Sequence, residues 1–498
     1  MTAHNQNLVN KIAKGLRSRY PLFYILGWEE ERMERLLAAI SSSFGEGRPL
    51  ITWTSSLGFD NGDEVQPLLD PMAALQAIAR AEVPALYLMK DLPAFFENNP
   101  ALVRAVRDLY YRLKSRGSYV FFSYPVLKLP DVLKKEVFLV EMELPSEEEV
   151  LEQMQLYLKK MPQVAQPPRE LLHRLAVAMK GLSLSEVGHL LARLFGRESL
   201  EMEAAIDEIQ EEKSQILRKE GCLRYYPIQH SLDDIGGLNN LKEWVLKRRD
   251  LFTEKAFKAG IPLPSGILFM GVSGCGKSMA AKAIAAAWSL PLVRLDMSLV
   301  LSGSYGPPEY AFEHATKIAE EIAPIVLWID EVENSFGYDE LSSAGGNVNI
   351  FSSFLTWMQE KPPSVFIAAT ANRIQQLPAE LMRKGRFDQL FFLDLPSKSE
   401  RKRIFAIHIA LNGGDISKFD VGYLAALTKE WSGAEIEQAV KSARVDAYQQ
   451  GREFTLEDVS RNTVSMVPLS RTMKEQIQAI KDWSFNRAVP ASKPEPEK

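Results

Sequence analysis

Apolar residues in this chain come in short blocks, and between the blocks they recur every three or four positions. The blocks are Leu22–Gly27, Leu50–Trp53, Ala85–Met89 and Tyr119–Ser123 in the first half. In the second half they are Ile267–Met270, Leu292–Leu295, Ile325–Ile329 and Val365–Ala369. Short apolar runs of this kind, bounded by polar or glycine positions, predict buried strands. The amphipathic stretches between them predict helices, and Glu147–Leu217 and Lys398–Gln450 read as helix for most of their length. Strands alternating with helices give an α/β fold.

The two halves also resemble each other. Leu175-Ala-Val-Ala-Met-Lys-Gly-Leu-Ser-Leu-Ser-Glu-Val187 aligns without a gap to Leu424-Ala-Ala-Leu-Thr-Lys-Glu-Trp-Ser-Gly-Ala-Glu-Ile436. Upstream, Val137–Glu148 pairs with Leu390–Glu400, and Pro84–Asp91 pairs with Pro324–Glu331. The segments keep the same order in each half, which points to an internal duplication of one module, a sheet followed by a helical lid.

The length of 498 residues suggests about three folding units. Hydrophobic residues at 46% and charged residues at 25% are the usual mix of a globular protein. A net charge of −5 argues against nucleic acid as the main partner, because phosphate backbones need a basic face. The two cysteines, Cys222 and Cys275, form neither a disulfide framework nor a metal-ligand spacing, and a reducing compartment is the default. No apolar stretch approaches the ~20 residues needed to cross a bilayer, and no signal-peptide run opens the chain. Val489–Lys498, rich in Pro, Lys and Glu, reads as a disordered tail.

The chemistry is concentrated in the second half. Gly271-Val272-Ser273-Gly274-Cys275-Gly276-Lys277-Ser278 is a complete G-x-x-x-x-G-K-S loop between a strand, Gly266–Met270, and a helix opening at Met279. Glycines let backbone N–H groups turn onto phosphate oxygens, and the helix N-terminus adds its positive end. Lys277 is expected to neutralise β- and γ-phosphate charge, and Ser278 to ligate Mg²⁺. Cys275 reads as a small filler within the loop. The strand Ile325–Ile329 ends in Asp330-Glu331. Asp330 is expected to hold Mg²⁺ through water, and Glu331 to orient and polarise an attacking water.

Taken together, these motifs resemble the AAA family of P-loop ATPases over Ser231–Thr463. Asp234-Ile235-Gly236-Gly237-Leu238 is similar to the family's adenine-side segment, and Thr370-Ala371-Asn372 to its polar sensor. Leu381-Met-Arg383-Lys-Gly-Arg386-Phe-Asp388 resembles the arginine-finger segment, which implies that Arg383 and Arg386 reach the γ-phosphate of a neighbouring subunit. His408 matches a family histidine near ribose and adenine, and Trp431-Ser-Gly433-Ala434 resembles a nucleotide-contacting lid element. Closer still, Phe354–Lys361, Arg383–Arg386, Pro468-Leu-Ser-Arg-Thr472 and Trp483 resemble the AAA proteins of cyanobacteria and plastid genomes named for a hypothetical chloroplast reading frame.

Two departures stand out. Where AAA translocases place an aromatic, an aliphatic residue and a glycine, this chain has Ser304-Tyr305-Gly306 followed by two prolines, which stiffen the loop. Near Asn349 an arginine common among relatives is missing. The first half departs further. Trp28-Glu29-Glu30-Glu31-Arg32 stands where a phosphate loop belongs, Lys90 where the metal-binding Asp belongs, and Tyr124-Pro125 where the sensor Asn belongs.

The resemblance therefore implies a degenerate AAA-like α/β domain over 1–145 and a helical lid-like segment over 146–225. An ATPase core over 226–396, a helical lid over 397–465 and a C-terminal helix with a tail over 466–498 follow. It implies an ATP- and Mg²⁺-dependent ATPase that assembles with itself, as a hexamer, and remodels or regulates a protein partner. The alternative is a slowly hydrolysing, nucleotide-dependent switch that recruits partners through its first half. The expected setting is cytoplasmic, or stromal if plastid-encoded.

Overall fold

The computed structural model describes residues 3–43, 48–160, 167–195, 202–219, 221–227, 231–252, 256, 259–336, 346–383 and 385–493. The chain forms two compact units, residues 1–209 and 210–498. Length alone suggested about three; each sheet shares its unit with the helices that follow it.

The first unit carries strands β1 (Leu22–Leu26), β2 (Leu50–Thr54), β3 (Gly58–Asp60), β4 (Val65–Gln66), β5 (Leu86–Lys90), β6 (Tyr119–Tyr124) and β7 (Val137–Glu141). They lie in the order β4-β3-β2-β5-β6-β1-β7, parallel except for the hairpin extension β3–β4. The second unit carries β8 (Leu223–Tyr226), β9 (Gly266–Gly271), β10 (Leu292–Leu295), β11 (Ile325–Ile329), β12 (Val365–Ala371), β13 (Gln389–Leu393) and β14 (Val489–Pro490). Their order is β14-β13-β9-β12-β11-β10-β8, parallel except for β8.

The parallel cores are topologically identical. Strands β2-β5-β6-β1-β7 and β10-β11-β12-β9-β13 follow the same order of first, second, third, fourth and fifth strand. Local details repeat too. Asp91 and Glu331, equivalent in the sequence pairing, both have left-handed backbones, with φ of 56° and 50°. The helices Leu184–Leu194 and Gly433–Gln449 both open with a capping box, Ser183/Glu186 and Ser432/Glu435. Ser146/Glu149 and Ser397/Glu400 exchange the same pair of bonds two lid helices earlier. An Ser-x-x-Glu pair satisfies two orphan N–H groups at once, so the sequence marks these four helix starts directly.

Alternation along β9 builds a three-layer core. Leu268 and Met270 face one side with Phe312 and Phe354 from helices Pro308–Glu321 and Gly346–Glu360. Ile267 and Phe269 face the other, against the alanine-rich helix Lys277–Trp288. Both faces of a parallel sheet are covered, which is why its strands read as unbroken apolar runs. A separate cluster of Ile404, Phe405, Trp431, Ile436 and Phe454 holds the lid helices together.

The chain end differs from the sequence expectation. Val489–Pro490 is not a free tail but a short strand parallel to β13, and Ala491 is fully buried. Pro490 lacks an N–H and is tolerated because β14 is an edge. Among the described residues, no helix is long and apolar enough to cross a membrane.

Candidate functional site

The glycine loop leaves β9 at Gly271 and enters helix Lys277–Trp288. Its three glycines have positive φ: 142° at Gly271, 77° at Gly274 and 92° at Gly276. A Cβ at Gly271 would sit 2.0 Å from Leu393 O, so that position admits no side chain. The backbone N–H groups of Ser273, Gly274, Cys275 and Gly276 donate to no described acceptor. Unclaimed N–H groups at a helix N-terminus form a ready anion cradle, which fits a nucleotide phosphate chain. Lys277 is buried, and its ammonium donates to Gly271 O at 2.9 Å and Val272 O at 2.8 Å. Burial holds its pKa below the usual lysine range, against the opposing pull of Cys275, Glu333, Asp330 and Glu331. A phosphate at the cradle would supply the counter-charge that the carbonyls only approximate. Val272 is buried beside the loop, and Met279 packs on the core within the first turn of the helix.

Ser278 Oγ donates to Asp330 Oδ1 at 3.3 Å. That pair suits a hard cation sharing its shell with phosphate and water. Among the described residues, no group of three or more His, Cys, Asp or Glu could hold a metal without such help. Thr370 Oγ1 donates to Asp330 Oδ1 at 2.6 Å and accepts from Glu331 N at 3.0 Å. It therefore fixes both acidic residues from the neighbouring strand. Glu331 Oε1 accepts from Asn372 Nδ2 at 2.8 Å, and Oε2 accepts from Asn334 Nδ2 at 2.7 Å. Buried Glu333 accepts from the backbone N–H of Asn372 at 2.7 Å and of Arg373 at 3.1 Å.

The lid reaches the same loop. Ala434 N donates to Gly274 O at 3.1 Å, and a Cβ at Gly433 would meet Gly274 O at 3.3 Å. On the opposite flank, Ile235 is buried and its carbonyl accepts from Lys242 Nζ at 2.7 Å. Gly236 packs on Ile404 so tightly that a Cβ would lie 2.4 Å from it. His408 lies one turn beyond Ile404. Its ring makes no hydrogen bond to a described residue, and burial holds its pKa below the usual histidine value. Cys275 has its thiol pushed up to about 12, chiefly by burial, so it is a protonated, unreactive filler.

The structure thus gathers Gly271–Ser278, Asp330, Glu331, Asn372, Gly433 and Ala434 into one place. No hydrogen bond or ion pair among the described residues joins Arg383 or Arg386 to them. Arg383 is exposed and forms no ion pair with a described residue, while Arg386 donates to Glu380 O. Sequence reading missed Glu333 and Asn334 as participants, and it took Thr370 only as the start of the sensor segment, not as the partner of Asp330 and Glu331. Their signal was only proximity: Glu333 and Asn334 follow the acidic pair within one turn, and Thr370 precedes Asn372 by two positions.

In the first unit the equivalent position is closed. Only Gly27–Glu29 separate β1 from helix Glu30–Ser43. Lys90 pairs with Glu30 at 3.0 Å and Glu34 at 2.5 Å. Buried Arg32 bridges Glu29 and Glu149, both at 2.9 Å. Side chains that would meet a phosphate here are acidic or already paired.

Residues 267–395 match the family described as ATPase family associated with various cellular activities (AAA). Residues 8–142 match the SpoVK-like AAA ATPase, N-terminal domain. The chain is 35% identical to the uncharacterized AAA domain-containing protein ycf46 of Gracilaria tenuistipitata var. liui, covering 96% of this chain and 98% of that one. It is 34% identical to the protein of the same name from Pyropia yezoensis, over 94% and 96%. The proteasome-activating nucleotidase of Methanococcus vannielii is 30% identical over 44% of this chain and 56% of its own length.

Proposed function

The chain belongs to the AAA domain-containing ycf46 proteins of the AAA ATPase family, and from that premise we propose that it binds and hydrolyses Mg-ATP as a homomeric ring and uses the cycle to remodel or regulate a protein partner. The observation that carries this reading is the Glu331 carboxylate. It is held from both sides by Asn372 and Asn334, and its neighbour Asp330 lies beside Ser278. A general base fixed by two amide donors next to a metal-binding pair is what water activation requires.

In this reading the N–H groups of Ser273–Gly276 and the ammonium of Lys277 bind the phosphates. Ser278 and Asp330 hold the metal, which when bound would neutralise charge on the phosphate oxygens. Glu331 takes a proton from water at its carboxylate, and Asn372 keeps that carboxylate aimed. Gly236, Ile404 and His408 flank the base, with Gly433 and Ala434 closing over the loop. Arg383 and Arg386 act in the neighbouring copy, a role that fits an exposed Arg383 with no ion pair to a described residue of its own chain. The first unit does not hydrolyse ATP and serves assembly or partner binding, because Lys90 and its glutamates fill the metal position.

One observation favours the slower, switch-like alternative. Tyr305, in the loop expected to contact a threaded chain, lies over Gly221 so closely that a Cβ there would be 2.1 Å from its ring. A ring parked on its own backbone is not poised to grip a substrate. The deciding experiment is the ATPase rate per subunit against protein concentration, with size measured in parallel. A rate that rises as the ring forms supports remodelling. Tight ATP binding with a flat, near-zero rate supports the switch.

A further inference from the structure

A cavity of about 740 Å³ opens between the lid and the C-terminal helix Lys474–Ser484, lined by none of the residues assigned above to the nucleotide site. Six cations line it: Lys398, Arg401, Lys429, Arg471, Lys474 and Lys481. Glu430 is the one carboxylate among the lining residues. In a chain of net charge −5, this convergence runs against the overall balance. Arg401 is buried and donates to Pro396 O and Ala425 O, so it forms the wall. Lys481 pairs with Asp394 at the rim at 2.9 Å. Lys398, Lys429, Arg471 and Lys474 form no ion pair with a described residue. The buried hydroxyl of Ser470 has no hydrogen-bond partner among the described residues.

We propose that this cavity is a binding site for a small phosphate-bearing anion, held by Arg471, Lys474, Lys398 and Lys429 with Ser470 as a hydroxyl donor. The volume falls within the ~300–1,000 Å³ of small-molecule sites. A guanidinium fork flanked by flexible ammonium groups matches phosphate, and Ile477 and Leu395 give an organic body an apolar floor. The site also accounts for the Pro468–Thr472 segment, which the nucleotide reading leaves unused.

The cavity wall is bonded toward the glycine loop. Leu469 N donates to Glu435 Oε1 at 2.6 Å, and Glu435 caps Ser432, two residues before the Ala434–Gly274 bond.

The test uses tripolyphosphate as probe and calorimetry on the full chain. Titrations are made on wild type saturated with ADP and on Lys277→Ala, so that the glycine loop cannot take the probe. One site is expected in both. Its affinity should fall at least tenfold in Arg471→Ala/Lys474→Ala, and stay within twofold in the control Lys159→Ala/Lys160→Ala, which removes equal charge elsewhere. No binding in either form, an undiminished affinity in the cavity variant, or an equal loss in the control would each overturn the site. A cavity variant that loses self-association while wild type ignores tripolyphosphate would make the cleft a protein-docking surface, and the proposal would fall.

Discussion

The side-chain amide of Asn372 donates to Glu331 Oε1 over 2.8 Å, although 41 residues separate the two in the chain. β11 and β12 run parallel and in register from Ile325↔Val365 to Ile329↔Ala369. Their ends therefore deliver Glu331 and Asn372 to the same edge of the sheet. The left-handed backbone of Glu331 costs about 1–2 kcal/mol. Asp91, in the matching place of the first unit, adopts it too, so the turn belongs to the module and persists where the catalytic residues are absent.

Glu331→Gln should retain ATP binding and lose turnover by about 10²–10⁴-fold, the usual contribution of a positioned acid or base. Asn372→Ala should keep binding and lose less, since Asn334 still holds the other carboxylate oxygen. Steady-state rates beside nucleotide titrations check both. A wild-type rate in Glu331→Gln would place water activation elsewhere.

Replacing Lys277 with Ala should abolish nucleotide binding, because its buried ammonium is the loop's own charge. The same variant tests trans action by the arginines. Arg386→Ala should bind ATP but lose roughly 10³-fold in rate, the scale of a lost arginine finger. Mixing the two inactive variants should restore activity, since Lys277→Ala subunits can lend Arg383 and Arg386 to a neighbour that holds ATP. A mixture as inactive as its parts would show that these arginines do not act across a subunit boundary.

Much of this was legible because it is local. Ile325–Ile329 and Leu292–Leu295 read as strands to the residue, since both faces of a parallel strand are apolar and nothing interrupts the run. The glycine loop and the Ser-x-x-Glu helix starts declare themselves over a few positions. What stayed hidden depends on tertiary closure. Leu223–Tyr226 carries an arginine and two tyrosines and signals no strand, yet it pairs antiparallel with β10 at an edge. Thr370 looks like an ordinary strand residue until β12 sets its hydroxyl between Asp330 and Glu331. Val489–Pro490 reads as tail composition, and only the open edge of β13 makes it a strand.

Lys361 offers a pH test of the core. It is buried, donates to Val365 O, and has its pKa pushed down to about 8 by desolvation. An unfolded lysine titrates near ~10.4. Between those values the unfolded chain binds more protons, so stability attributable to this group rises with pH. The stability of wild type relative to Lys361→Met should therefore improve from pH 7.5 to 10, by on the order of 2 kcal/mol. Denaturant unfolding of both proteins measures it, and a difference that does not change with pH would show that the ammonium is not desolvated.

The C-terminal segment should tune nucleotide affinity through Glu400. One oxygen of that carboxylate accepts from Leu238 N at 3.3 Å and from Ser492 Oγ at 2.5 Å, while the other caps Ser397 at 2.9 Å. Ala491 O accepts from Asn240 N and Leu241 N, and the Asn240 amide reaches Pro490 O and Ser492 O. The strap thus clamps the turn that follows Gly236 and Gly237 to the first lid helix. Ending the chain after Ala488 removes every bond that Pro490, Ala491 and Ser492 make, and leaves those of Glu400 to Leu238 and Ser397. ATP affinity should fall about tenfold, equivalent to ~1.4 kcal/mol, while turnover at saturating ATP stays within a few-fold, because Glu331, Asn372 and Lys277 are untouched. Glu400→Gln keeps one acceptor oxygen and should fall between the two. If truncation lowers the melting temperature but leaves ATP affinity unchanged, the strap only seals the edge of β13, and the adenine-side turn is fixed by Ile404, Lys242 and Glu400 without it.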